Sequence, residues 1–435
     1  MTSWYDNDTK RGGEFMRRFL TISLVFFAVV FMFSITLTMV ETITSPARTE
    51  LLRQLLDEFE KAHPDIKVEL ISPPYESSDQ KLIMMLNTKQ KVDVFEVRDN
   101  FLAIHANNKN LADLTDFATS WSGWDDLLDL TKKAATKIDG KVYYIPYGFF
   151  IKALFYRKDI LEQNNMPVPK TMEELYEYAK KLTSPSENKY GFAFRGGSSE
   201  HSFSEIVIMS YVPNIDPNPD RGYLTTDGIP YHDTPGAIEG LKMWINLYRD
   251  CSPKDSLNWG WAEQVNGFVS GMTPFLIQDP DTVPIVERRL GDSNLYGVAP
   301  MPVGPHGKVY LDYGNAGWGI ASYSKYKKEA WELIKFLSSP EVNARFSKLN
   351  GTIPNCKSAF SDPYYATGPY KAWYEELTNP DKYVFYERPV HMPGFPAYAE
   401  KHKNDIQNII LGRKNLNEAV KEWADFWKKE YNLAK

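Results

Sequence analysis

A chain of 435 residues is longer than one hydrophobic core organises, so two domains or lobes are expected. It is 43% hydrophobic and 24% charged, an ordinary globular balance. Net charge is −6 with no block of Lys or Arg, which argues against nucleic acid as a partner.

The N-terminus carries the localisation signal. Met16-Arg17-Arg18 precedes FLTISLVFFAVVFMF (Phe19–Phe33), a run without charge. A basic start followed by such a run resembles a secretory signal and is short for a membrane span. No A-x-A motif follows, so an uncleaved N-terminal anchor stays open beside a cleaved signal, and Met16 is a candidate start. Removing residues 1–34, with four basic and three acidic side chains, would leave a net charge of −7. Only Cys251 and Cys356 are present, and two unpaired thiols are expected.

In ITLTMVET, Ile35, Leu37 and Met39 alternate with Thr36, Thr38 and Val40, which predicts a strand at the start of the folded protein. Leu51, Leu52, Leu55, Leu56 and Phe59 form a helical stripe that stops at His63-Pro64. IKVEL (Ile66–Leu70) alternates as a strand, Ser78–Asn87 predicts a helix, and VDVFEV (Val92–Val97) a short buried strand. Strand, helix, strand, helix, strand predicts a parallel α/β sheet.

A second α/β unit follows. KALFYRKDI (Lys152–Ile160) predicts a strand running into a helix. The segment from Pro167 to Leu182 carries a capping box, with Thr171 as cap and Glu174 three residues on. YGFAF (Tyr190–Phe194) is expected to be another strand. A turn-rich stretch then leads to a Trp-bearing helix from about Thr234 to Arg249. Lys327–Leu337 and Asn415–Lys429 predict later helices.

Motifs for catalysis are absent. No H-E-x-x-H or Cys/His cluster at metal spacing occurs, and no G-x-S-x-G elbow. GNAGWG (Gly314–Gly319) lacks the glycine order of a dinucleotide site. Serines near His201 in GGSSEHS are accounted for by a polar loop, and no carboxylate pair stands out as a glycosidase pair. No cofactor and no metal are expected.

Aromatic residues are the stronger signal. VYYIPYGFFIKALFY (Val142–Tyr156) has seven rings in fifteen residues, and Trp121, Trp124, Trp259, Trp261 and Trp318 sit beside Gly, Ser or Asn. Each ring taken singly is explained by packing. As a set, rings in loops suit a sugar, whose apolar face stacks while each hydroxyl that loses water needs a donor or acceptor or costs about 1–3 kcal/mol.

LLRQLLDEFEKAHPDIKVEL, VDVFEV with LADLTDF, and IPYGFFIKALFYRKDILEQNNMPVPKTMEELYEYAKKL stand in one order along the chain. FVSGMTPFLIQ, YGVAPMPVGPHGK, NAGWGIASYSKYKKEAWELIKFLSSPEVNARF and ILGRKNLNEAVKEW follow. In this order they resemble family 1 of the extracellular solute-binding proteins of ABC importers, which mostly bind sugars. The resemblance covers nearly the whole chain after the signal.

It implies a two-lobe, periplasmic-binding-protein-like α/β fold, each lobe a sheet flanked by helices, with the ligand between them. The implied division is 1–34 for the signal or anchor, 35–147 and 313–355 for the first lobe, and 148–312 and 356–435 for the second. Crossings fall near Pro146–Phe150, Leu311–Gly314 and Leu349–Lys357. By position in the motifs, the resemblance implies ligand contacts at Thr42, Tyr75, Arg98, Asn100, Tyr147, Phe150, Arg195, Asp281, Trp318 and Arg388. Tyr143 and Phe155 are expected in the core. Trp318 is the leading stacking candidate, Asp281 stands where relatives carry a stacking Trp, and Arg388 would fork hydroxyls or a carboxylate, a surface ion pair being the alternative.

The implied function is a non-catalytic, exported, monomeric receptor that captures a carbohydrate by lobe closure and delivers it to ABC permease subunits. Alternatives are a receptor for a polyamine, an anion or an acidic sugar, and a secreted glycan-active enzyme.

Overall fold

The computed structural model describes residues 34–433 except 219, 220, 391 and 393. The predicted secretory segment thus lies outside the described residues, Ser34 apart.

The first lobe is built on a six-stranded mixed sheet. Its strands are β1 (Ile35–Val40), β2 (Ile66–Ile71), β3 (Val94–Arg98), β4 (Tyr144–Ile151), β9 (Tyr313–Ile320) and β10 (Ile353–Pro354), in the order β10-β4-β9-β3-β1-β2. β1 pairs in parallel with β2 and β3, as the strand–helix–strand pattern predicts, whereas β9 is antiparallel to both β3 and β4. Alternation decides the faces of β1. Leu37 and Met39 point towards the helices Pro46–Ala62, Lys327–Leu337 and Pro340–Asn350, and Val40 points the other way, towards Ser78–Asn87 and Asp99–Asn107.

The second lobe has a three-stranded antiparallel sheet of β5 (Ala153–Arg157), β6 (Phe275–Gln278) and β7 (Tyr296–Ala299), ordered β6-β5-β7. A two-stranded parallel ladder joins β8 (Val309–Leu311) to β11 (Tyr383–Phe385). Helices Met172–Lys181, His201–Met209, Pro235–Cys251, Phe395–Ile410 and Leu416–Glu430 pack around them in one aromatic-rich core. The capping box at Thr171 and Glu174 is present.

Tyr190–Phe194 is not a strand. Only a single bridge joins Phe192 to Phe275, and Gly191 lies directly on the Ala179 backbone, where a Cβ would sit 1.9 Å from the carbonyl oxygen. That close approach packs the segment against helix Met172–Lys181, and its pairing with Phe275 does not extend into a ladder. Cys251 and Cys356 are free and buried in separate clusters.

β4 and β9 reach both cores. Ile145 and Tyr147 belong to the first-lobe core, Phe149 and Ile151 to the second; Tyr313 belongs to the second and Trp318 to the first. A register shift between Pro146 and Gly148 marks where β4 changes allegiance.

Candidate functional site

Under the first lobe's upper edge lies a fully buried polar network centred on Glu96. Its Oε1 accepts from Tyr147 Oη at 2.6 Å and from Arg48 Nη2 at 2.6 Å, while Oε2 accepts from the Thr42 amide at 2.6 Å and the Ile43 amide at 2.8 Å. Arg48 Nη1 also pairs with Glu41 at 2.6 Å. Burial opposes the Arg48 charge, yet Glu96, Tyr147 and Glu41 together hold its pKa above the ordinary value.

Three of the expected ligand contacts are buried. Thr42 and Tyr147 are completely buried, and their hydroxyls donate to Glu96. Trp318 is 1% exposed, in β9 between Glu96 of β3 and Ile145 of β4, with its ring 5.1 Å from Tyr147 and 6.3 Å from Phe346. An interior strand covered by helix Pro340–Asn350 leaves that ring no free face. Phe155 is fully buried, as expected, whereas Tyr143 is only half-buried and packs at the edge of the core.

Other expected residues are accessible. Arg98, at the end of β3, pairs with Asp79 at 2.7 Å, and its guanidinium lies 5.6 Å from the exposed Tyr75 ring. Asn100 is exposed in the first turn of helix Asp99–Asn107, and its amide donates to Asp99 Oδ1 at 2.8 Å. Asp99 Oδ2 accepts from the Asn315 amide at 3.3 Å, and Tyr144 Oη donates to Asn315 Oδ1 at 2.6 Å. Burial raises the Asp99 pKa, against the pull of Arg388 and Lys137.

Opposite stands a charged wall of the second lobe. Phe150 is half-buried beside Gly314. Arg388 Nε donates to Asp312 Oδ2 at 2.8 Å, and Lys152 Nζ lies 3.6 Å from Asp312 and 3.8 Å from Asp279. Arg388 Nη1 is 3.3 Å from His201 Nε2. Arg cannot accept, so that nitrogen of His201 is the unprotonated one. Burial first, and Arg388 next, drive the His201 pKa down to about 2.

Arg195 is held by Ser198 O at 2.6 Å and Gln264 Oε1 at 3.1 Å, with its guanidinium 4.9 Å from the Phe203 ring. It has no ion-pair partner among the described residues. Asp281 is half-buried beside Trp261, whose Nε1 donates to Thr282 Oγ1 at 3.2 Å; burial and Asp279 push the Asp281 carboxyl up. Gly351 brings the first-lobe segment onto it: a Cβ there would lie 2.5 Å from Asp281 Cα.

The walls converge where Asp99 and Asn315 meet Lys137, Tyr313, Glu387 and Arg388 around a cavity of about 20 Å³. Lys137 is ion-paired with Glu387, whose Oε1 accepts from Tyr313 Oη at 2.5 Å. Lys152, Asp99, Asp279, Asp312, Lys137 and Glu387 are not singled out by the sequence, and His201 is read there only as part of a polar loop. Lys152 did carry a signal, a lone cation inside the apolar run FFIKALF; the others are ordinary polar residues until folding gathers them.

A family model described as bacterial extracellular solute-binding protein matches residues 45–344. The chain belongs to this family. A maltotriose-binding protein of Pyrococcus abyssi is 25% identical over 342 residues, 74% of this chain and 67% of its own length. A galactooligosaccharide-binding protein of Bacillus subtilis is 24% identical over 308 residues, 70% of each chain. Among solved structures, maltose-bound MalE3 of T. maritima superimposes with a TM-score of 0.73 at 23% identity, covering 92% of this chain and all of that one. The sugar-binding protein MalE of Xanthomonas citri gives 0.75 at 20% identity, covering 91% and 97%. These likenesses establish the two-lobe fold.

Proposed function

We propose that the chain captures a neutral carbohydrate between its lobes, closes over it and presents it to an ABC permease, acting by binding without turnover. The observation that carries this reading is the pairing on the two walls. Arg98, Lys137 and Arg388 are each neutralised by a carboxylate, Asp79, Glu387 and Asp312, and Arg195, though without an ion pair, is in the field of Asp279, Asp281 and Glu263. Such pairs have little charge left for an anion, but they keep oriented N–H donors and carboxylate acceptors, the groups that hydroxyls need when they lose water.

The names of the maltotriose- and galactooligosaccharide-binding relatives support a saccharide. In place of the buried Tyr147 and Trp318, we assign ligand contact to Tyr75, Arg98, Asn100 and Phe150, and to Arg195, Asp281 and Arg388. Closure would turn on β4 and β9, the strands shared by both cores. We further place the monomeric protein outside the cytoplasmic membrane, exported by its N-terminal segment or held by it; the mass of the mature N-terminus decides between these. No helix among the described residues is long and apolar enough to cross a membrane.

The test is small-angle scattering of the purified protein with and without neutral oligosaccharides. A saccharide that binds should shrink the radius of gyration and be recovered unchanged. Binding without contraction would overturn closure, and release of cleaved sugar would favour an enzyme.

A further inference from the structure

One sizeable concavity does not lie between the lobes. It is a cavity of about 610 Å³ on the second lobe, beside the outer edge of β7, well within the range of small-molecule sites. None of the residues assigned above to the interlobe cleft lines it.

Two features of its lining bear on what it could hold. First, Tyr156 closes the aromatic stretch VYYIPYGFFIKALFY and lies across its strand partner Gly297, where a Cβ would meet the ring at 2.3 Å. The ring remains half-buried, lines the cavity, and its hydroxyl has no hydrogen bond among the described residues. Second, Lys158, Lys170, Lys371 and Lys382 border the same cavity, against Glu375 as its one acidic lining residue. None of the four lysines has a carboxylate partner among the described residues, although the chain as a whole carries −6. An anion in the cavity would be attracted by all four.

We propose that this cavity is a second ligand site, separate from the cleft, that takes an anionic saccharide unit. The ring of Tyr156 supplies a flat apolar platform for the sugar face, and the four lysines hold its negative group. A uronate and a sugar phosphate share this chemistry. The ring argues against a bare inorganic anion, which has no apolar face to stack.

Hydrogen exchange of the full chain tests this, with digalacturonate, glucose 1-phosphate and neutral galactobiose as separate probes. The expected result is slowed exchange in residues 293–301 and 367–375 with one or both anionic probes and none there with galactobiose; whichever anion protects names the source. Lys170→Gln with Lys382→Gln, both at the protein surface, should weaken that protection by about tenfold or more. Tyr156→Leu should weaken it as well and leave the cleft's affinity for neutral sugar unchanged. Protection confined to the cleft, equal protection by galactobiose, or undiminished binding in the double lysine variant would each overturn the site. Because these readouts are at the second cavity, their failure leaves the cleft reading intact.

Discussion

Arg388 Nε lies 2.8 Å from Asp312 Oδ2, so the arginine that the sequence places near the ligand is already neutralised inside the protein. Asp312 is buried and also faces Lys152. Arg388→Ala should weaken saccharide binding by about tenfold or more, and Arg388→Lys should restore little, because an ammonium lacks the planar fork. Calorimetric titration of folded variants checks this. Unchanged affinity in Arg388→Ala would make the pair purely structural.

Trp318→Ala should act on the fold. Loss of this buried ring is expected to cost about 3–5 kcal/mol, read by denaturant unfolding, while the folded fraction keeps its ligand affinity within about threefold. A large loss of affinity at unchanged stability would return Trp318 to the binding surface.

The fate of Trp318 shows where sequence reading stops. The helices and most strands were legible because apolar spacing reports which residues share a face: Leu37 with Met39, or Leu52 with Leu56 and Phe59. The family resemblance placed the fold. It did not reveal that Glu96, Arg48 and Tyr147, far apart in sequence, absorb one another's polar atoms beneath the cleft. Burial of a ring in β9 depends on helix Pro340–Asn350 lying over it, and GNAGWG alone cannot express that. The strand expected at Tyr190–Phe194 failed likewise: residues 191–194 are all buried, with Gly191 pressed against Ala179.

Arg48→Met tests the buried network. It would leave Glu41 and Glu96, both fully buried, without their shared cation, at a cost of about 3–5 kcal/mol. Thermal unfolding should show a clear drop, and the additional change Glu96→Gln should recover part of it by removing one of the stranded charges. No recovery would mean that packing of the arginine stem dominates.

Glu205, fully buried behind Arg388, predicts a pH dependence. Burial pushes its pKa up from 4.5 to about 7, against His402 and its bond from Tyr223. The folded state then holds this proton more tightly than the unfolded chain. Its contribution to stability is present at low pH and is lost as pH rises from about 4.5 towards 7, by roughly 3 kcal/mol over that window. Glu205→Gln removes this term, so between pH 5 and 7.5 the wild type should lose more stability than the variant in denaturant melts. Equal losses would show that Glu205 ionises freely in the fold.

Saccharide capture without turnover is read by thermal unfolding of the wild-type protein with neutral mono- and oligosaccharides, each assayed for cleavage. At 100-fold excess over its dissociation constant, a bound saccharide should stabilise the protein by about 2.7 kcal/mol. The melting temperature should rise with at least one neutral saccharide, recovered intact, and at the same saccharide concentration a tenfold weaker Arg388→Ala should keep about half of the stabilisation or less. A response to amines or inorganic anions alone, with none to any saccharide, would contradict saccharide capture.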